Sequence, residues 1–187
     1  MTGRVLVAGV GNIFLGDDGF GVEVARRLAP ADLPGWVQVA DYGISGMHLA
    51  YDLADGYDAA ILIDAAPRGD KPGSVSVLDV AAEHRPDAGP ADEPIGASRL
   101  FDAHGMQPDV VLAVLDMLGE ARPARILVVG CEPASVDYGM ELSEPVAAAV
   151  GEAVQAVIRL IAEIGADAAI AASSSGEGAL YVPRHTR

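Results

Sequence analysis

The stretch from Val5 to Leu28, VLVAGVGNIFLGDDGFGVEVARRL, permits few folds. Val5 to Val10 is apolar without a break, the pattern of a strand buried on both faces. A glycine-containing turn, Gly9 to Gly16, follows. From about Gly19 to Leu28 apolar residues return at helical spacing. A buried strand leading through a short turn into an amphipathic helix opens an α/β domain, whose ligands gather at the carboxyl ends of strands. Two adjacent carboxylates, Asp17 and Asp18, stand where turn becomes helix.

The pattern repeats downstream. Residues 36–41, WVQVAD, read as a second strand. Ser45 is placed to cap a short helix from about Gly46 to Leu53. Asp58 to Asp64, DAAILID, reads as a third buried strand, and Ser74 to Asp79 alternates as a half-exposed antiparallel edge strand would. Residues 81–95 are rich in Pro, Asp and Gly and read as a surface loop. A helix is expected from Pro108 to Gly119, a last buried strand over Arg125 to Gly130, and a long helix from Ser143 to about Ile164. The expected organisation is one domain, residues 1–164, and a flexible Ala/Ser/Gly-rich tail, residues 165–187.

Composition narrows the partners. A net charge of −15 with no basic stripe speaks against nucleic acid and anionic lipid. No uninterrupted apolar run has the length of a membrane span, and no signal-peptide pattern opens the chain. The single cysteine, Cys131, forms no internal disulfide and belongs to no Cys-x-x-Cys pattern. A cytoplasmic location is the expectation.

Three strands end in acids or lead into them: Asp18 after the first, Asp41 on the second, Asp64 on the third. With strand one between strands two and three, as right-handed crossovers favour, the acids converge on one edge. Each alone is as well read as a helix cap. Asp17 is the better candidate to cap the helix near Gly19, which leaves Asp18 for the crevice. His104 sits in a glycine-flanked loop before a helix. Together Asp18, Asp64 and His104 could form a mixed oxygen and nitrogen site for a divalent transition metal. Phe14 stands where a dinucleotide fingerprint needs glycine, and no phosphate loop, His-Glu-x-x-His or Gly-x-Ser-x-Gly occurs. Cys131 is better read as packing than as a nucleophile.

The blocks GVGNIFLGDDGFGV, DYGISGMHL, ILIDA, DAHGMQPDVVLAVL and VVGCEPASVDYGMELSEPV, in this order across residues 4–164, resemble the hydrogenase maturation proteases. These endopeptidases process the C-terminus of nickel–iron hydrogenase large subunits. The resemblance implies a three-layer α/β/α sandwich with a twisted, mostly parallel sheet of about five strands, one of them an antiparallel edge strand. It implies removal of a C-terminal extension from the large-subunit precursor after nickel insertion, with nickel, carried by the substrate, as the recognition signal. By motif, the metal-contacting residues fall on Asp18, Asp64 and His104, and the catalytic carboxylates on Asp18 and Asp64. Asp41 and Asp17 are secondary. Whether an aspartate or the metal activates water stays open at this point. So do two other readings, a non-catalytic nickel-binding maturation chaperone and a small-molecule hydrolase on the same scaffold.

Overall fold

The computed structural model describes residues 3–80 and 122–174. The expected 81–95 loop, His104 and the expected helix from Pro108 lie outside these residues. Five strands form one sheet: β1 (Val5–Val10), β2 (Val37–Gly43), β3 (Ala59–Ala65), β4 (Val75–Asp79) and β5 (Arg125–Cys131). Their order across the sheet is β2-β1-β3-β5-β4. β1 runs parallel to both β2 and β3, β5 is parallel to β3, and β4 closes the edge antiparallel to β5. This is the sheet expected from sequence, including its one reversed edge.

Alternation along β1 builds two cores. Val5 and Val7 face α1 (Phe20–Leu28) and α3 (Glu144–Ser174), packing with Phe20, Leu28, Val150 and Val157. Leu6 and Ala8 face the other way, onto Leu49 and Leu53 of α2 (Gly46–Ala54). Strands β1 and β3 are buried along their whole length because helices cover both faces. The result is three layers, with the carboxyl ends of β1, β2, β3 and β5 on a common edge.

The inner helix lies very close to the sheet. A Cβ added at Gly21 would collide with the carbonyl oxygens of Ile63 and Val10, and one at Gly9 with the carbonyl oxygen of Gly21. Two glycines therefore allow α1 to rest its backbone directly on β1 and β3.

Two local expectations change. Ser45 precedes α2, but its hydroxyl makes no capping hydrogen bond; its N–H donates to the Tyr42 carbonyl at 2.8 Å instead. And α3 does not stop near Ile164 but continues to Ser174, so the segment from residue 165 is not tail throughout. Gly165 leaves room for Trp36, whose ring would sit 3.1 Å from a Cβ there, and Arg125 holds Asp167 at 3.1 Å. The alanine-rich run beyond favours helix over coil. The stretch Glu144–Ile170 is long and apolar enough to cross a membrane by length and composition, but its inward face, Val146, Val150, Ala153 and Val157, is buried in the core.

Because Gly21 meets backbone atoms that cannot rotate away, Gly21→Ala should lower stability by about 1–3 kcal/mol or more. A urea midpoint equal to that of the wild type would refute this packing.

Candidate active site

The turn after β1 folds back over the strand's end. Gly11 has φ +128, and a Cβ there would collide with the carbonyl oxygen of Asp18. Only glycine fits such a conformation and approach. The return brings Asp18 to the mouth of the strand, where the N–H of Asn12 donates to Asp18 Oδ2 at 2.7 Å.

Asp64 sits near the end of the adjacent β3, opposite Gly130 of β5, and is 8% exposed. Its Oδ1 accepts from the Ala65 N–H at 2.8 Å. Burial, joined by the negative charge of Asp18, raises its pKa well above the usual carboxylate value, and the Ala65 bond offsets this only in part. A Cβ on Gly11 would lie against the Asp18 carbonyl oxygen and 3.8 Å from Asp64 Oδ1, so the two acids share one neighbourhood. Two acids held close, one desolvated, take up either a proton or a cation. His104 lies outside the described residues. Among those described, no three side chains of the metal-binding types gather.

Asp41 serves the neighbouring turn. Its Oδ1 accepts from the Gly43 N–H at 3.0 Å, and Arg26 lies 3.4 Å from its Oδ2. Gly43 in turn accepts from the N–H of Gly11 at 2.9 Å, so Asp41 shapes the turn that buttresses the β1 exit.

Asp17 does not cap α1. It is fully buried and reaches across the fold to the segment between β5 and α3. Its Oδ2 accepts from the N–H of Ala134 at 2.7 Å, the N–H of Ser135 at 3.1 Å and the Ser143 hydroxyl at 2.9 Å; its Oδ1 accepts from the N–H of Ser143 at 2.6 Å. Three backbone N–H groups and a hydroxyl from this segment take up both carboxylate oxygens, and no side chain caps α1. Burial alone would raise the Asp17 pKa, but the bonds from Ser143, Ser135 and Ala134 outweigh it and leave the carboxyl below its ordinary value.

Glu132 has a matching role that sequence reasoning left unassigned. Its carboxylate accepts from the N–H of Arg68 at 2.6 Å and its carbonyl from the N–H of Gly73 at 2.8 Å, so it holds the loop that follows β3. The block CEPASVDYGMELS contained the signal, but nothing in it shows which distant amides Glu132 meets. Cys131 beside it is 1% exposed, and burial pushes its thiol up to about 11, in keeping with a packing residue.

The turn that carries Asp18 and the segment paired with it expose apolar side chains, with Asp137 and Glu141 among them. Phe14, Tyr138 and Met140 are exposed, and Phe14 is tied to Gly139 between the other two by a 3.0 Å hydrogen bond from the Gly139 N–H. The edge thus combines two carboxylates with an open apolar rim.

Comparison with known proteins supplies the family and the fold. The family model described as Hydrogenase maturation protease matches residues 22–160. The hydrogenase 2 maturation protease of Escherichia coli is 31% identical over 169 residues, 88% of this chain and 94% of that protein. The hydrogenase expression/formation protein HupD of Rhizobium leguminosarum is 30% identical over 186 residues, 96% of this chain and 83% of that protein. Among solved structures, the hydrogenase maturating endopeptidase HybD from E. coli superposes with a TM-score of 0.67 at 30% identity, covering 87% of this chain and 94% of its own. A [NiFe] hydrogenase maturation protease, HycI from Thermococcus kodakarensis, gives 0.57 at 25% identity, covering 86% and 91%.

The two buried acids should respond to pH with opposite signs. Asp17 has its pKa lowered on folding, so its stabilisation is complete above the unfolded value of about 3.9 and fades as pH falls toward the folded one. Asp17→Asn turns an amide toward several donors and should cost about 1–3 kcal/mol at pH 7, with the gap narrowing below about pH 4. Asp64 has its pKa raised, so the folded state resists its ionisation as pH rises. Asp64→Asn should therefore be no less stable than the wild type at pH 7. Denaturant titrations from pH 3 to pH 7 distinguish these signs.

Proposed function

We infer the activity from one premise: this chain belongs to the hydrogenase maturation protease family. It is an endopeptidase, and its substrate is the large-subunit precursor of a nickel–iron hydrogenase, from which it removes a C-terminal extension once nickel is in place. The observation that carries this reading is the convergence of Asp18 and Asp64 on one open edge of the sheet. The apolar rim of Phe14, Tyr138 and Met140 suits a folded protein as substrate rather than a small molecule, which would need a closed pocket.

Nickel enters as part of the substrate. Asn12 occupies Oδ2 of Asp18 and Ala65 occupies Oδ1 of Asp64, and the described residues give the remaining oxygen of each carboxyl no bond. Those two oxygens, with His104 as a neutral nitrogen donor, are the groups we assign to the metal. A cation there offsets the burial and the Asp18 charge that together raise the Asp64 pKa, so a loaded precursor completes the site and an empty one does not. Hydrolysis needs a base for the attacking water and an acid for the leaving nitrogen. Asp18, half-buried and beside the mouth, is our choice of base: once the metal has placed the precursor, its free oxygen takes a proton from the attacking water and returns it to the leaving nitrogen. The enzyme is of aspartic type on this reading, with nickel supplying recognition.

The test is processing of purified precursor. Nickel-loaded precursor should be shortened and metal-free precursor left whole; an uncut loaded precursor would sink the protease reading. Asp18→Asn and Asp64→Asn should each slow cleavage about 100-fold or more while leaving the fold intact. Cys131→Ala should process normally, since a buried thiol with its pKa pushed up to about 11 supplies no thiolate.

A further inference from the structure

We propose that Asp17 is a positioning residue that locks Asp18 and the segment 134–143 into a single working unit, an inference that rests on the endopeptidase reading above. The geometry is one of mutual clasping. Asp17 receives three backbone N–H groups and one hydroxyl from Ala134, Ser135 and Ser143. Its own N–H donates back to the Ser135 carbonyl at 3.1 Å, and the N–H of Gly16 donates to the Gly139 carbonyl at 2.8 Å. Gly16, at φ +56, completes the clasp: a Cβ there would sit 3.3 Å from the Ser135 carbonyl oxygen and 3.4 Å from that of Asp137.

Asp18 is the next residue, in the same single 3-10 turn, Gly16–Gly19. Its N–H donates to Leu15 at 3.2 Å, and its carboxylate is held from the far side by Asn12. The turn is therefore gripped at both ends, by Asn12 in front and by the 134–143 segment behind. That segment exposes Tyr138 and Met140 beside Phe14, the rim that a protein substrate covers on the endopeptidase reading. A fully buried carboxylate with four donors is stiff, because rotating it strands several buried polar groups together. Substrate seated on the rim is thus registered against Asp18 through Asp17. Displacement of a reacting group by an ångström is enough to cost about 100-fold in rate.

Two variants and two measurements test this. Asp17→Asn keeps the shape but turns an amide toward donors; Ser143→Ala deletes one bond and leaves the backbone N–H in place. With nickel-loaded precursor, Asp17→Asn should lower kcat about 100-fold with KM unchanged, and Ser143→Ala should lower kcat by a smaller factor in the same direction. Hydrogen exchange supplies a readout independent of activity: the Asn12 amide, bonded to Asp18, should lose protection in both variants while Val7 and Ile61 in the sheet keep theirs. Wild-type protection at Asn12, or kcat unchanged in a folded variant, overturns the proposal. If Asp17→Asn does not fold, Ser143→Ala decides by the same two readings. If wild-type protein leaves loaded precursor uncut, the proposed activity fails, and the exchange result still decides whether Asp17 positions Asp18.

Discussion

The backbone contact between α1 and the sheet is the constraint on which the rest depends. Gly9 and Gly21 let the helix rest on β1 and β3 with no side chain between them. That seat fixes where the helix begins and so how sharply the chain must turn after Val10. The turn has room only to double back, and Gly11 makes the reversal possible. Asp18 arrives beside Asp64 as a consequence of packing, before any chemistry is considered.

A second constraint is electrostatic. The site places one carboxyl in a dry position near another and leaves the pair without an opposite charge among the described residues. Such an arrangement is costly unless something arrives to resolve it. Next door, Asp17 shows the opposite solution, a buried carboxylate fully supplied with donors. The adjacent acids of one dipeptide thus differ in their supply of donors: Asp17 takes four, whereas among the described residues the Asp18 carboxylate takes one, from Asn12.

Much of this was legible in the sequence. Unbroken apolar runs and strand-ending acids identified β1 and β3 and put Asp18 and Asp64 at their carboxyl ends, because buried parallel strands leave a strong pattern; Asp41 turned out to hold the neighbouring turn. The alternation of Ser74 to Asp79 identified the reversed edge. What stayed hidden depends on contacts between distant parts of the chain. Asp17 looked like a helix cap because its local context allows one, while its true partners lie 117 to 126 residues away. Glu132 was hidden for the same reason. The length of α3 was misread because glycine and serine were weighed as breakers, whereas Trp36 fills the space that Gly165 leaves open. Local pattern reports burial well and reports long-range hydrogen bonds poorly.

The state of Cys131 bears on how such an enzyme lets go. The chain has no other thiol, and this one is sealed beneath the sheet edge with its proton firmly held. On the proposed reading, the protein meets a nickel that its substrate carries, and it brings only oxygen and one imidazole. Without a thiolate, such a donor set competes weakly for a metal held by softer ligands. On that reading the protein would leave the nickel with the subunit it processes.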